Sequence, residues 1–228
     1  MASWMIHFRV AQMIYHRLGL RHIPEFILGN IAPDSGVPSA DGAGYEPPSS
    51  VTHFNEMDPN GVKGVHEEIF IAQYLSSERL ADYTDRELSF YLGYLTHLIM
   101  DKLWVRDVVY PAAEKFPELF ASDRPAFWRR IKRDWYDLDF LYFKHHPDLE
   151  AFEIYRTAPD VRNVFLPFFS EDAFEKRREF IVNFYRQGAR DVSERETYLS
   201  FDDLEALIGR AAEDIIGLCQ PYIARLSP

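Results

Sequence analysis

From Phe90 to Met100 the chain carries no charged residue, and its apolar positions cover every side of a helical wheel. That pattern predicts a helix enclosed by protein, within a longer helical stretch over 85–105. Elsewhere apolar positions recur at intervals of three and four. Trp4, His7, Ala11, Ile14 and Leu18 share one stripe of a helix expected over 4–19, while Arg9, Gln12, His16 and Arg17 fall off it. A short apolar helix is expected over 23–31, ended by Pro33. Further helices are expected near 65–78, 107–116, 124–144, 170–190 and 201–225. Strand-like alternation is nowhere sustained. The predicted fold is all-α, a multi-helix bundle forming a single domain over 1–228. One segment breaks the helical rhythm: residues 33–64 hold five Pro and five Gly. A loop that long in a compact domain is either functional or disordered. Asp34 and His53 flank most of it, so it is expected to form a lid over a cleft.

The enclosed helix also holds the clearest chemical signal. His97 and Asp101 are four residues apart and therefore sit one above the other on the same helical face. An ionised carboxylate in a core is costly unless something positive compensates it. Lys102 points elsewhere on the wheel, which leaves His97 itself or a bound cation. The pair reads either as half of a metal site or as a buried structural hydrogen bond. His7, on the apolar stripe of the first helix, has the same two readings. Asp34, in Pro33-Asp34-Ser35-Gly36, is either a turn residue or a ligand placed where the chain leaves the core. His53 stands beside Phe54 at the far end of the long loop. Three imidazoles and two carboxylates suit zinc, with manganese or iron also compatible and calcium disfavoured.

These elements resemble a known family. Trp4-x-x-His7, Gly29-Asn30-Ile31-Ala32-Pro33-Asp34, His53-Phe54 and Tyr91-Leu92-Gly93-x-x-x-His97-x-x-x-Asp101 are similar in order and rough spacing to the zinc-dependent phospholipase C family. The stretch Asp134 to Phe140 is similar to the short, unsecreted bacterial branch. The resemblance implies an all-α fold shared with single-strand-specific zinc nucleases. It also implies one zinc held by Asp34, His53, His97 and Asp101, with Asp101 bridging to a second zinc held by His7. In the secreted members the mature chain begins at the Trp, whose amine and carbonyl complete a metal site. Here Met1-Ala2-Ser3 precede Trp4. A further zinc in the family uses an H-x-x-x-E pair. His146 and Glu150 have that spacing, but Pro147 is expected to start a helix and to leave His146 outside it.

Composition narrows the setting. One Cys, Cys219, rules out a disulfide within the chain. Arg9, Gln12, His16 and Arg17 interrupt what would otherwise be a signal-like apolar run, and no stretch reaches the length of a membrane span. A cytoplasmic protein is expected. The formal net charge of -11 argues against non-specific binding to nucleic acid. In 124–144, Arg130 and Asp134 are four apart, which reads as a salt-bridged surface helix, or else as a source of a ligand or general base. The expected function is a phosphoester hydrolase resembling phospholipase C, with one or two zinc ions activating water for attack on a small or amphiphilic substrate. Glu56, three residues after His53, is the expected proton acceptor. A single-strand nuclease, and a non-catalytic metal-binding protein with the same fold, are the alternatives.

Overall fold

The computed structural model describes residues 1–40, 44–188, 192, 195 and 198–223. Its helices are α1 (Trp4–Leu18), α2 (Ile23–Ile31), α3 (Ser49–Thr52), α4 (Glu67–Tyr74), α5 (Ser77–Asp82), α6 (Asp85–Trp104), α7 (Tyr110–Lys115), α8 (Pro117–Ser122), α9 (Arg124–His145), α10 (Glu150–Thr157), α11 (Ala173–Gln187) and α12 (Phe201–Ile223). The fold is all-α, as the periodicity predicts. Of the expected helix ends, 189–190 and 224–225 lie outside the described residues, as do 41–43 of the long loop.

α6 is the central element and packs against α1, α2, α4 and α12. It begins at a capping box: Glu87 N–H donates to Thr84 Oγ1, and Thr84 N–H donates to the Glu87 carboxylate. From Leu88 to Asp101 every residue is buried, and Lys102 turns outward to pair with Glu67. Two glycines let α2 and α6 touch backbone to backbone. A Cβ on Gly93 would fall 1.9 Å from the Phe26 carbonyl oxygen, and one on Gly29 would fall 2.0 Å from that of Phe90. No side chain larger than hydrogen fits at either crossing.

The differences from expectation have local causes. The helix expected over 65–78 is two helices, because Ser76 caps α5 by accepting from Arg79 N–H. α6 runs into α7 through a π-helical turn over Val105–Val109. Pro111, which has no N–H, is the second residue of α7, and the wider turn adjusts the ladder before it. Residues 33–64 are more ordered than a bare loop. They contain a 3₁₀ turn (Ala32–Asp34), α3, and two minimal hairpins, β1–β2 (Val37–Pro38 with Tyr45–Glu46) and β3–β4 (Asn55–Met57 with Lys63–Val65). Strands of two or three residues are too short to leave an alternating pattern. No described helix is long and apolar enough to cross a membrane.

α9 departs most from its sequence reading. Asp134, Asp137 and Asp139 are buried rather than displayed on a surface. Asp134 pairs with Arg195 at 2.6 Å, not with Arg130, and accepts from the backbone N–H groups of Tyr198 and Leu199 at 3.0 and 2.9 Å. Asp139 accepts from Ser3 Oγ at 2.6 Å and from the Tyr185 hydroxyl at 2.8 Å. These carboxylates fasten the N-terminal segment, Arg195, Tyr198 and Leu199 to α9.

Candidate metal centre

Four elements deliver the ligand-type side chains. His7 comes from α1, Asp34 from the turn after α2, His53 from the end of α3, and His97 and Asp101 from successive turns of α6. Asp101 sits among the imidazoles. Its Oδ1 is 3.4 Å from His7 Nε2, and its Oδ2 is 3.4 Å from His97 Nε2 and 3.9 Å from His53 Nε2. His53 Nε2 lies 3.2 Å from Asp34 Oδ1. The His7 and His97 rings stack, with centroids 3.8 Å apart and planes 4° from parallel. All five residues expected from the sequence are thus brought together. They form two overlapping groups, His7–His97–Asp101 and Asp34–His53–His97, each with ligand atoms within 4.8 Å of one another.

The surrounding residues set which imidazole nitrogen faces inward. Asn30 carbonyl lies 2.7 Å from His97 Nδ1, leaving Nε2 directed at Asp101. Thr52 Oγ1 lies 2.8 Å from His53 Nδ1, leaving that Nε2 directed at Asp34. Thr52 is itself held, since its carbonyl accepts from the Tyr94 hydroxyl. Partners of this kind fix the tautomer and orientation of metal-ligating histidines. Asn30 can reach His97 because Gly29 and Gly93 let α2 approach α6 so closely. Phe54, at φ 49°, turns the chain sharply after His53 and puts its ring against Phe70.

Burial shapes the charges. It acts with the neighbouring His97 to push His7 down from 6.5 to about 4, so His7 is neutral at pH 7. Burial also lowers His97, but Asp101 and Asp34 outweigh it and the net shift is upward. For Asp101 burial favours the protonated form, yet His97, the N-terminal amine and His7 overcome it and hold the carboxyl well below its ordinary range. Asp34 is lowered too, its burial outweighed by the hydrogen bond to His53 and the charge of His97.

The donor set fits a metal. His7 Nδ1 and Nε2, His97 Nε2 and Asp101 Oδ2 are fully buried and make no hydrogen bond among the described residues. Buried polar atoms are seldom left in that state, and the three that cluster, one from each of His7, His97 and Asp101, meet the needs of a cation with nitrogen and oxygen ligands. Asp101 Oδ1 also accepts from the backbone N–H of Ala2 at 2.7 Å. The main-chain N–H that binds Asp101 is therefore that of Ala2, and the charge of the Met1 amine acts on Asp101 as well. Trp4 instead lies edge-on to Phe180 and Phe184 in the wall.

A cleft of about 620 Å³ opens above the cluster, with Asp34 and His53 in its floor. Residues of the 33–64 segment form one wall. Trp4, Trp135, Tyr136, Phe180 and Phe184 supply an aromatic wall, and Lys63, Lys132 and Arg177 also line it.

Some expected residues are elsewhere. Glu56 is exposed on β3, paired with Gly64, and does not line the cleft. His146 stacks on Tyr142 outside any helix, α10 begins only at Glu150, and Glu150 pairs with His16. None of the α9 carboxylates belongs to a metal-type group among the described residues. The sequence reading missed Asn30, Thr52, Ala2 and the three cleft cations. Only Asn30 left a signal, as the neighbour of Gly29 in a motif already singled out.

Comparison with curated proteins gives no match, and neither does comparison with solved structures. Residues 6–104 match the family model described as zinc dependent phospholipase C, a span that contains all five clustered His and Asp side chains, and this match supports membership of the chain in that family.

Proposed function

We propose that the protein is a zinc-dependent phosphoester hydrolase of the phospholipase C type, acting at the cluster beneath the cleft. The observation that carries this reading is the convergence of unpaired, buried His7, His97 and Asp101 atoms below an open, aromatic-walled cleft. Asp34, His53, His97 and Asp101 would hold one ion, and His7 with Asp101 a second. Bound zinc would acidify a water and neutralise charge on the phosphoryl group.

The chain's own residues supply orientation and exclusion. Asn30 and Thr52 hold two imidazoles with Nε2 facing inward. Asp34 is the part-exposed carboxylate of the set, 18% accessible, and faces the cleft. That position lets Asp34 orient a water in the cleft by accepting a hydrogen bond from it, a role for which Glu56, outside the lining, is not placed. The aromatic wall accommodates the apolar part of an amphiphilic substrate.

The test is hydrolysis of bis-p-nitrophenyl phosphate and a phospholipid by zinc-loaded protein, with and without chelator, alongside metal content by mass spectrometry. His97→Ala is expected to lose about one equivalent of zinc with helix content intact, since a neutral imidazole supplies one coordination bond. Chelator-insensitive turnover, or unchanged zinc in that variant, contradicts the assignment.

A further inference from the structure

We infer that Lys63 and Lys132 make the cleft selective for phosphoesters whose alcohol carries no positive charge, an inference that rests on the proposed hydrolase reading and names its substrate class.

The protein is strongly acidic, with a net charge of -11, yet the cleft is not. Among the described residues lining it, Lys63, Lys132 and Arg177 are the Lys and Arg side chains, and Asp34 is the only carboxylate. Asp34 is already engaged with His53. Lys63, from β4, donates to Ser49 Oγ. Lys132, from α9, makes no ion pair among the described residues and stands 6.0 Å from the Trp128 ring centroid. The two amines lie near enough for the charge of Lys63 to disfavour that of Lys132, second to the effect of burial. Arg177 is committed elsewhere: it donates to the Gly36 carbonyl and lies over the Trp4 and Phe180 rings at 5.8 and 5.4 Å.

Lysines tend to be placed apart or beside carboxylates, because like charges repel. Two held together without a carboxylate partner, on the walls of a concave site, form an anion-attracting field. Metals beneath would already neutralise the scissile phosphoryl group, so the lysines act on what is attached to it. A quaternary ammonium would meet two ammonium groups and no free carboxylate. An uncharged or anionic alcohol would meet only complementary charge. A nucleic-acid strand is less well matched. Its binding calls for cations running along a groove, whereas these converge on one cleft in a protein of opposite overall sign.

Glycerol phosphate and phosphocholine make a matched pair of probes: both carry the same phosphate, and only the second adds a cation. Equilibrium binding of each to the zinc-loaded protein, read by calorimetry without turnover, is compared with Lys63→Gln/Lys132→Gln. The wild type is expected to hold glycerol phosphate about tenfold more tightly than phosphocholine, and the double variant to lose that preference. Its melting temperature and zinc content should match the wild type, since neither amine belongs to the core or to the ligand set. Equal binding of the two probes by the wild type, or a preference that survives in the double variant, would overturn the inference. Two parallel arms assign the source. Loss of attachment to phosphatidylglycerol vesicles with glycerol phosphate binding unchanged would place the lysines on a membrane-facing surface and overturn selection in the cleft. The same pattern with a single-stranded oligonucleotide would overturn it in favour of nucleic acid. Protein that neither binds zinc nor hydrolyses phosphoesters would refute the hydrolase reading and this substrate class with it, whereas zinc-loaded, active protein without the preference would refute this inference alone.

Discussion

Asp101 on α6 and Asp134 on α9 are both buried aspartates, 0% and 2% exposed, and the protein treats them in opposite ways. Asp134 is closed off by protein, with a guanidinium at 2.6 Å and two backbone N–H donors within 3.0 Å. Asp101 accepts one backbone N–H, from Ala2, and is otherwise ringed by His7, His97 and His53 at 3.4–3.9 Å, with no donor within hydrogen-bond geometry of its Oδ2 among the described residues. A buried carboxylate with its own cation is a fastening. One surrounded by imidazoles aimed inward is able to hold a metal ion with them. The contrast separates a carboxylate satisfied by the protein from one placed to share a metal ion with neighbouring imidazoles.

The largest effect in this comparison belongs to the closed cluster. Asp134→Ala strands Arg195 and two N–H groups, and breaking a buried pair in this way costs about 3 kcal/mol or more. Chemical denaturation should show that loss equally with and without chelator. A loss that depends on zinc would erase the distinction between the clusters.

Next comes the backbone contact that orients His97. Gly93→Ala would place a methyl against the Phe26 carbonyl, 1.9 Å from its oxygen, so α2 and α6 must separate. Overpacking of this kind costs about 1–3 kcal/mol. Unlike Asp134→Ala, it should also weaken zinc binding, because Asn30 would no longer reach His97. Stability lost with zinc affinity unchanged would show that the Asn30 contact is incidental. Ser3→Ala should be milder, about 1 kcal/mol for one hydrogen bond to Asp139. Its effect on zinc should be small, since Ala2 retains its own bond to Asp101.

The smallest effect is a difference in pH dependence. Zinc binds neutral imidazole, so protons compete with it. His97 is raised above 6.5, with Asp101 outweighing burial, so it takes up a proton as pH falls through the neutral range and zinc affinity drops. His7, held at about 4, stays neutral through that range. Zinc affinity measured between pH 7 and 5 should fall with the same slope in wild type and His7→Ala. A shallower slope in the variant would mean that His7 titrates there too.

How much of this was legible in the sequence follows from chain distance. α6 was plain because eleven uncharged residues stand in a row and His97 and Asp101 are one turn apart. The remaining ligands were weak singly and became informative only as an ordered set with Gly29, Asn30 and Gly93. The α9 carboxylates were misread because Arg130, four residues away, looked like the partner of Asp134. Its real partners are Arg195, Tyr198 and Leu199, some sixty positions on. Lys63 and Lys132 were hidden for the same reason: a hairpin and a helix bring them to one cleft, and neither has a local pattern. Glu56 failed as an inference from spacing. Being three residues from a ligand means proximity on a helix, but here the chain turns at Phe54 into a strand.

Thermal melting of zinc-loaded wild type, Asp101→Asn and Asp134→Ala, each with and without chelator, puts the contrast to its most direct test. Chelation should lower the wild-type melting temperature by about 5–10 °C, as expected for loss of a ligand held at a hundred times its dissociation constant in a chain of this size. Asp101→Asn should nearly abolish that shift, while Asp134→Ala should melt lower and keep the shift in full. A wild type that melts at the same temperature in both conditions, or a full shift in Asp101→Asn, would contradict the claim that the α6 cluster is built around a metal ion.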